Sequence, residues 1–140
     1  MTLNYKKISR KPGLFKIFTG FTQDEFDRIF RKINERYETY EKERLERKDR
    51  RRDIGAGRKF KLQVRERFLM FLVYHRLYIT YTLAGFLFDV DQSTVYRNIR
   101  HLEPLVNECI PLPEKTHDKI ERIRNIDELL EILPEIEEEL

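Results

Sequence analysis

The stretch from Thr80 to Leu102 reads TYTLAGFLFDVDQSTVYRNIRHL, and it leaves little freedom in how this chain can fold. A short apolar run (Leu83, Ala84, Phe86, Leu87) meets a break at Phe88-Asp89-Val90. A second run starts at Asp91 and carries Val95, Ile99 and Leu102 at helical spacing. Two helices joined by a tight turn, the second opening on small polar residues, is the pattern of a helix-turn-helix. Thr80 can cap the first helix and Asp91 the second. Asp89 falls where the chain needs a left-handed or bridge conformation, which Asp tolerates better than most residues. Gly85 is the small residue that allows close approach of the two helices, and Val90 plugs the turn. With Val95, Ile99 and Leu102 turned to the core, Gln92, Ser93, Tyr96, Arg97 and Arg100 face away from it.

The remaining sequence also reads as helix. Residues 1–21 form a basic N-terminal arm with Tyr5, Phe15, Phe18 and Phe21 scattered through it. Its Lys6, Lys7, Arg10 and Lys11 either touch phosphate or ride on a terminus that docks its Phe side chains. Thr22-Gln23-Asp24-Glu25 is a capping box. Phe26, Ile29, Phe30, Ile33 and Tyr37 then recur every three or four residues and predict an amphipathic helix over 22–54, charged and exposed beyond Tyr40. Gly55-Ala56-Gly57 breaks it, and 55–61 becomes a basic hinge carrying Arg58, Lys59 and Lys61; with the basic run Arg47 to Arg52, including Arg50, Arg51 and Arg52, it is expected to meet DNA backbone, a solvated linker being the other reading of that run. Leu62 to Tyr78 is apolar almost all round after Arg67, which predicts a central helix. A buried strand is the alternative for FLMFLVY, but the polar residues on both sides favour helix. The helix-turn-helix domain spans 62–110. Pro104 is expected to bend or end its second helix. Residues 111–140 should form an acidic linker and a helical tail, with Asn125 or Asp127 near the start of IDELLEIL and little for its apolar face to pack against. The fold class expected is all-α: a helix-turn-helix domain with an N-terminal amphipathic helix and a short C-terminal helical tail.

Charge is unevenly distributed. Residues 1–61 hold 19 Lys and Arg against 10 Asp and Glu, 62–108 hold 5 against 5, and 109–140 hold 4 against 10. A basic front, neutral centre and acidic end suit a polyanion-binding face with the tail held away from it or folded onto it; ordinary solvated helix faces are the plainer reading. The single Cys109 cannot form an internal disulfide, and the start of the chain lacks a signal-peptide core. Phe68 to Tyr74 is too short to span a bilayer. These features predict an intracellular protein with no membrane partner. His75, His101 and His117 have no ligand spacing with one another or with Cys109, so no metal and no cofactor are expected, and His75 and His101 are expected at helix surfaces. No phosphate-binding glycine loop occurs.

A helix placed in a major groove needs side chains that reach base edges and others that grip phosphate. Arg97 suits guanine and Gln92 adenine. Ser93 and Thr94, near a helix N-terminus, suit phosphate. Tyr96 suits a phosphate or a thymine methyl, and Arg100 the backbone one turn further on. A solvent-facing helix surface is the competing reading of all six.

GAGRKFKL followed by RERFLMFLVYHRLYITYTLAGFLFDVDQSTVYRNIRHLEPLV resembles the N-terminal helix-turn-helix of insertion-sequence transposases of the IS5-like group within the DDE superfamily, with Leu87 to Val95 the most diagnostic part. TGFTQDEFDRIF upstream and IDELLEILPEI downstream resemble the family too. Relatives usually carry Gly where this chain has Asp89, and often Ser or His at Tyr96. The resemblance implies that a catalytic domain would begin just after a segment like Leu133-Pro134-Glu135, and that its carboxylates would hold two divalent metals. The chain reaches only Leu140, so the expectation is a non-catalytic module, a first-frame or truncated product, with no catalytic residues of its own. Its expected partners are double-stranded DNA and either a DDE catalytic polypeptide or a second copy, in a nucleoid-associated cytoplasmic setting. A transcriptional regulator and a helical interaction protein that binds no DNA remain open alternatives.

Overall fold

The computed structural model describes residues 2–45 and 62–139. The basic segment 47–61 predicted to meet DNA backbone, with Arg58, Lys59 and Lys61, lies outside them. The described residues are all-α: α1 (Tyr5–Ile8), α2 (Pro12–Thr19), α3 (Gln23–Leu45), α4 (Val64–Leu77), α5 (Tyr81–Phe88), α6 (Gln92–Cys109), α7 (Ile126–Ile132) and a closing 3-10 segment (Pro134–Glu139).

Helix α4 is the axis of the molecule. It touches α1, α2, α3, α5 and α6, and Phe68 through Val73 are all fully buried. A helix surrounded on every side has no solvent face to mark with polar residues, which explains its near-continuous apolar sequence. Helix α3 begins at the capping box: the Thr22 amide donates to Glu25 Oε1 at 3.0 Å, and the Glu25 amide to Thr22 Oγ1 at 3.2 Å. The bond to Thr22 holds the Glu25 carboxyl below its ordinary range. Phe26 and Ile33 are fully buried. The Phe26 ring centroid lies 5.1 Å from Phe68, 5.4 Å from Phe15 and 5.4 Å from Tyr5.

Of the two readings of residues 1–21, docking of the aromatic side chains is the one observed. Leu3, Tyr5, Ile8, Leu14, Phe15 and Phe18 belong to the core, and the Tyr5 amide donates to both Glu66 carboxylate oxygens at the start of α4. The basic residues ride on the outside: Lys6, Arg10, Lys11 and Lys16 are exposed.

Two expectations are corrected. Helix α6 does not stop at Pro104 but runs on to Cys109. The backbone bond that proline forfeits falls on the solvent side, where Arg100 and Pro104 are both exposed, while Leu102, Leu105 and Val106 are fully buried and hold the helix on course. The C-terminal tail, moreover, does find packing. Ile123 forms a parallel bridge with Ile79: its amide donates to Tyr78 O at 2.9 Å, and its carbonyl accepts from Thr80 N at 3.0 Å. Arg122 lies 4.1 Å over Tyr74 and 4.4 Å over Tyr78 and donates to Ile79 O. Ile123, Leu129 and Ile136 are fully buried. Asn125 caps α7 by accepting from the Glu128 amide at 2.9 Å.

His75, expected at a helix surface, is half-buried on α4. Its Nε2 is buried without a hydrogen-bond partner, and burial depresses the ring pKa to about 4, with the Arg122 charge adding to the effect. The folded state therefore binds fewer protons than the unfolded state between about pH 4 and the ordinary histidine value. Stability should fall as pH drops through that window and level off below it. Urea midpoints measured across the window should show the loss, and His75→Phe should flatten it.

Candidate nucleic-acid interface

Helix α5 is set by its cap: Thr80 Oγ1 accepts from the Leu83 amide at 3.2 Å. It ends at Asp89, whose φ of 55° and ψ of 51° are left-handed, as the sequence required. The Val90 amide donates to Gly85 O at 2.9 Å. A Cβ added at Gly85 would lie 2.6 Å from Val90 O, so the small residue is what lets the turn fold back onto α5. Asp91 occupies the N-cap position of α6, but its side chain makes no capping bond; the expected cap acts through its backbone, with Asp91 O accepting from the Thr94 and Val95 amides.

The left-handed residue is strained for any side chain but costs glycine nothing. Asp89→Gly should therefore stabilise the fold by a few tenths to about 1 kcal/mol, net of the extra freedom glycine has when unfolded. Asp89→Val should lose about 1–2 kcal/mol. Thermal unfolding of the pair would show the opposite signs.

The two sides of α6 fall as expected. Val95, Ile99 and Leu102 are buried, while Gln92, Ser93, Tyr96, Arg97 and Arg100 are exposed and Thr94 is half-buried. One open face thus carries five of the six α6 side chains predicted to meet DNA, with Thr94 half-buried. Arg97 Nη2 donates to Thr94 Oγ1 at 3.4 Å, and the Arg100 guanidinium lies 6.0 Å from the Tyr96 ring centroid. Tyr96 also meets Tyr81 edge-on at 5.4 Å, and Tyr81 stacks on Tyr74 at 4.9 Å. Gln92 reaches back to α5, where Thr82 Oγ1 donates to its Oε1 at 2.6 Å. Phe86, read in sequence as part of the apolar run, is instead 66% exposed. It stands four residues after Thr82, which is likewise exposed.

The buried side of α6 holds a feature that periodicity did not find. Asn98 is 1% exposed and faces Arg67 of α4, itself 2% exposed. Arg67 Nε donates to Asn98 Oδ1 at 2.7 Å, its Nη1 to Tyr37 Oη at 2.6 Å, and its Nη2 to His101 Nδ1. Asn98 Nδ2 returns a bond to Arg67 O at 3.0 Å. A guanidinium has no acceptor, so His101 Nδ1 must be the acceptor and Nε2 carries the proton. That Nε2–H donates to Glu41 Oε2 of α3 at 2.8 Å. Tyr40 Oη donates to the His101 backbone carbonyl at 2.6 Å. His101, expected at the surface, has a side chain only 6% exposed, because the end of α3 covers it. The network ties α3, α4 and α6 together and fixes how α6 is rotated. Its sequence signal was an asparagine three residues after Val95 and four before Leu102, on the apolar stripe.

The other weighed groups are placed elsewhere. The His117 ring Nε2 bonds Leu77 O at 2.8 Å. Cys109 is half-buried and its thiol is pushed up by that burial. Among the described residues no three His, Cys, Asp or Glu side chains gather as a metal set, and no helix is long and apolar enough to cross a membrane. The acidic end reaches the basic front at Lys11, 3.6 Å from Glu138, an exposed pair that contributes little.

No curated protein and no solved structure matches the chain. Residues 60–112 match the family described as the helix-turn-helix of DDE superfamily endonuclease. The matched stretch contains α4, the α5 turn and α6 to its end, the same three helices whose packing presents the open face. Residues 60–112 are thus similar to the helix-turn-helix of the DDE superfamily endonucleases.

Proposed function

We propose that this protein is the sequence-specific DNA-binding module of an insertion-sequence transposase and recognises the ends of the element. The observation that supports it best is the face of α6, where Gln92, Ser93, Tyr96, Arg97 and Arg100 are exposed together on a helix whose other side is buried in the matched domain. Arg97 offers a bidentate donor to guanine, Gln92 a contact to a base edge, and Ser93, Thr94 and Arg100 grip phosphate. Tyr96 meets a phosphate or a thymine methyl. Arg58, Lys59 and Lys61 add charge for phosphate contacts. On this reading strand transfer is supplied by a DDE catalytic polypeptide, joined to the module or bound by it, or the module pairs with a second copy of itself. It works on double-stranded DNA in the cytoplasm, at the nucleoid.

Gel-shift titrations of the element ends and of random duplex DNA, at two salt concentrations, test this reading. Arg97→Ala should lower the preference for the ends by about 1–3 kcal/mol. Neutralising Arg50, Arg51 and Arg52 should weaken binding to every duplex alike and flatten the salt dependence. Equal losses on specific and random DNA for both changes would remove Arg97 as a base reader. A wild-type chain that binds neither duplex would remove the function.

A further inference from the structure

Resting on that reading, we propose that Thr82, on the first helix of the motif, is a specificity-determining residue that orients the Gln92 amide for a base edge rich in hydrogen-bond acceptors. Ten residues and the whole turn separate the two in sequence, yet the Thr82 hydroxyl donates to Gln92 Oε1 at 2.6 Å. Both residues are exposed, so the bond is not a by-product of core packing. Each is also fixed at its base: Thr82 is the second residue of a helix capped by Thr80, and Gln92 is the first residue of α6.

A glutamine amide has an oxygen that only accepts and a nitrogen that only donates. Left free, it can present either to a base. With the oxygen drawn toward Thr82 and one of its two lone pairs engaged, the two N–H bonds are the groups better placed for the groove. Guanine shows two acceptors there, N7 and O6, and thymine shows O4; cytosine shows only the N4 donor, and adenine pairs its N7 with the N6 donor. Gln92 held by Thr82 therefore selects guanine or thymine and disfavours cytosine at the base it meets, and its bidentate contact with adenine becomes the weaker option. A side chain already held in one orientation also surrenders less freedom on binding than a loose one.

Thr82→Val keeps the branched shape and helix preference while removing the hydroxyl; Thr82→Ser keeps the hydroxyl. Each would be used, beside wild type and Gln92→Ala, to select from a duplex library with a randomised core, with thermal unfolding recorded for every variant. Wild type should enrich guanine or thymine at one position. Thr82→Val should lose about tenfold of that preference at that position alone, leaving the others and random-DNA affinity unchanged. Thr82→Ser should restore it, and Thr82→Val added to Gln92→Ala should change nothing further. The proposal is overturned if Thr82→Val leaves every position as in wild type, if its effect persists in the Gln92→Ala background, or if wild type enriches cytosine at the position that Gln92→Ala relaxes. Selection intact elsewhere in those cases leaves the DNA-binding reading standing; a wild-type chain that enriches no sequence overturns both.

Discussion

Arg67→Ala should reduce the free energy of unfolding by about 3–5 kcal/mol, among the largest losses that any single change in this chain can produce. Arg67 is 2% exposed, and its guanidinium donates to Asn98, Tyr37 and His101 at once. Its removal leaves Asn98 Oδ1 and His101 Nδ1 facing a cavity without that donor, each at about 1–3 kcal/mol, besides the lost packing of the long side chain. Small domains have only about 5–15 kcal/mol in all, so urea unfolding should place the variant near the edge of folding. Arg67→Lys should recover only part of the loss, since a single ammonium cannot reproduce a planar fork aimed at three groups. A triple change of Arg67, Asn98 and His101 to apolar residues of matched volume should restore much of the stability. Near-neutral Arg67→Ala would show that water enters the site and replaces the donor. The functional expectation follows from where Asn98 and His101 stand: both belong to α6, so the triple variant should fold yet lose preference among DNA sequences, as α6 is free to rotate on a uniform apolar bed.

Why this network escaped the sequence is a matter of what periodicity measures. A stripe of apolar residues marks a buried face, and Val95, Ile99 and Leu102 were legible for that reason; a polar residue on the same stripe reads as noise. Asn98 and Arg67 are 31 residues apart and declare themselves only once paired. Local rules worked where local chemistry decides: the Thr22–Glu25 box, the Thr80 and Asn125 caps and the left-handed Asp89 were all readable. They failed where distant packing overrides them. Pro104 reads as a helix end, but the burial of Leu102, Leu105 and Val106 carries α6 past it. Ile123 reads as a lone β-branched residue in a polar loop, and its partner Ile79 is far away in sequence. Tyr78 takes a left-handed conformation (φ of 52°) that no local rule assigns to tyrosine. The open face of α6 was legible because a helix-turn-helix has two sides, and naming one names the other. Thr82 was not, since an exposed threonine early in a helix looks ordinary until the far side of the turn comes back to meet it.

Gly85→Ala should destabilise the protein by about 2–3 kcal/mol, against the ordinary rule for a glycine inside a helix, where alanine gains about 1 kcal/mol. The added Cβ would sit 2.6 Å from Val90 O and 3.3 Å from Gln92 N. Both are backbone atoms, so no rotamer change relieves the contact; α6 has to move away from α5. The turn resists that motion, because Gly85 O accepts from the amides of both Asp89 and Val90. Urea unfolding would give the sign directly, and a gain of about 1 kcal/mol would mean that the two helices do not meet at this point. The same displacement reaches the open face of α6. Gln92 opens α6 and is held by Thr82 across the gap that the methyl group would widen, and Arg97 is borne one turn and more along the same rigid rod. Sequence preference should therefore fall further than affinity for random DNA, whose phosphate contacts depend on charge more than on the angle of approach. Under the proposed function, one methyl group placed where α5 meets the turn is expected to blur what α6 reads.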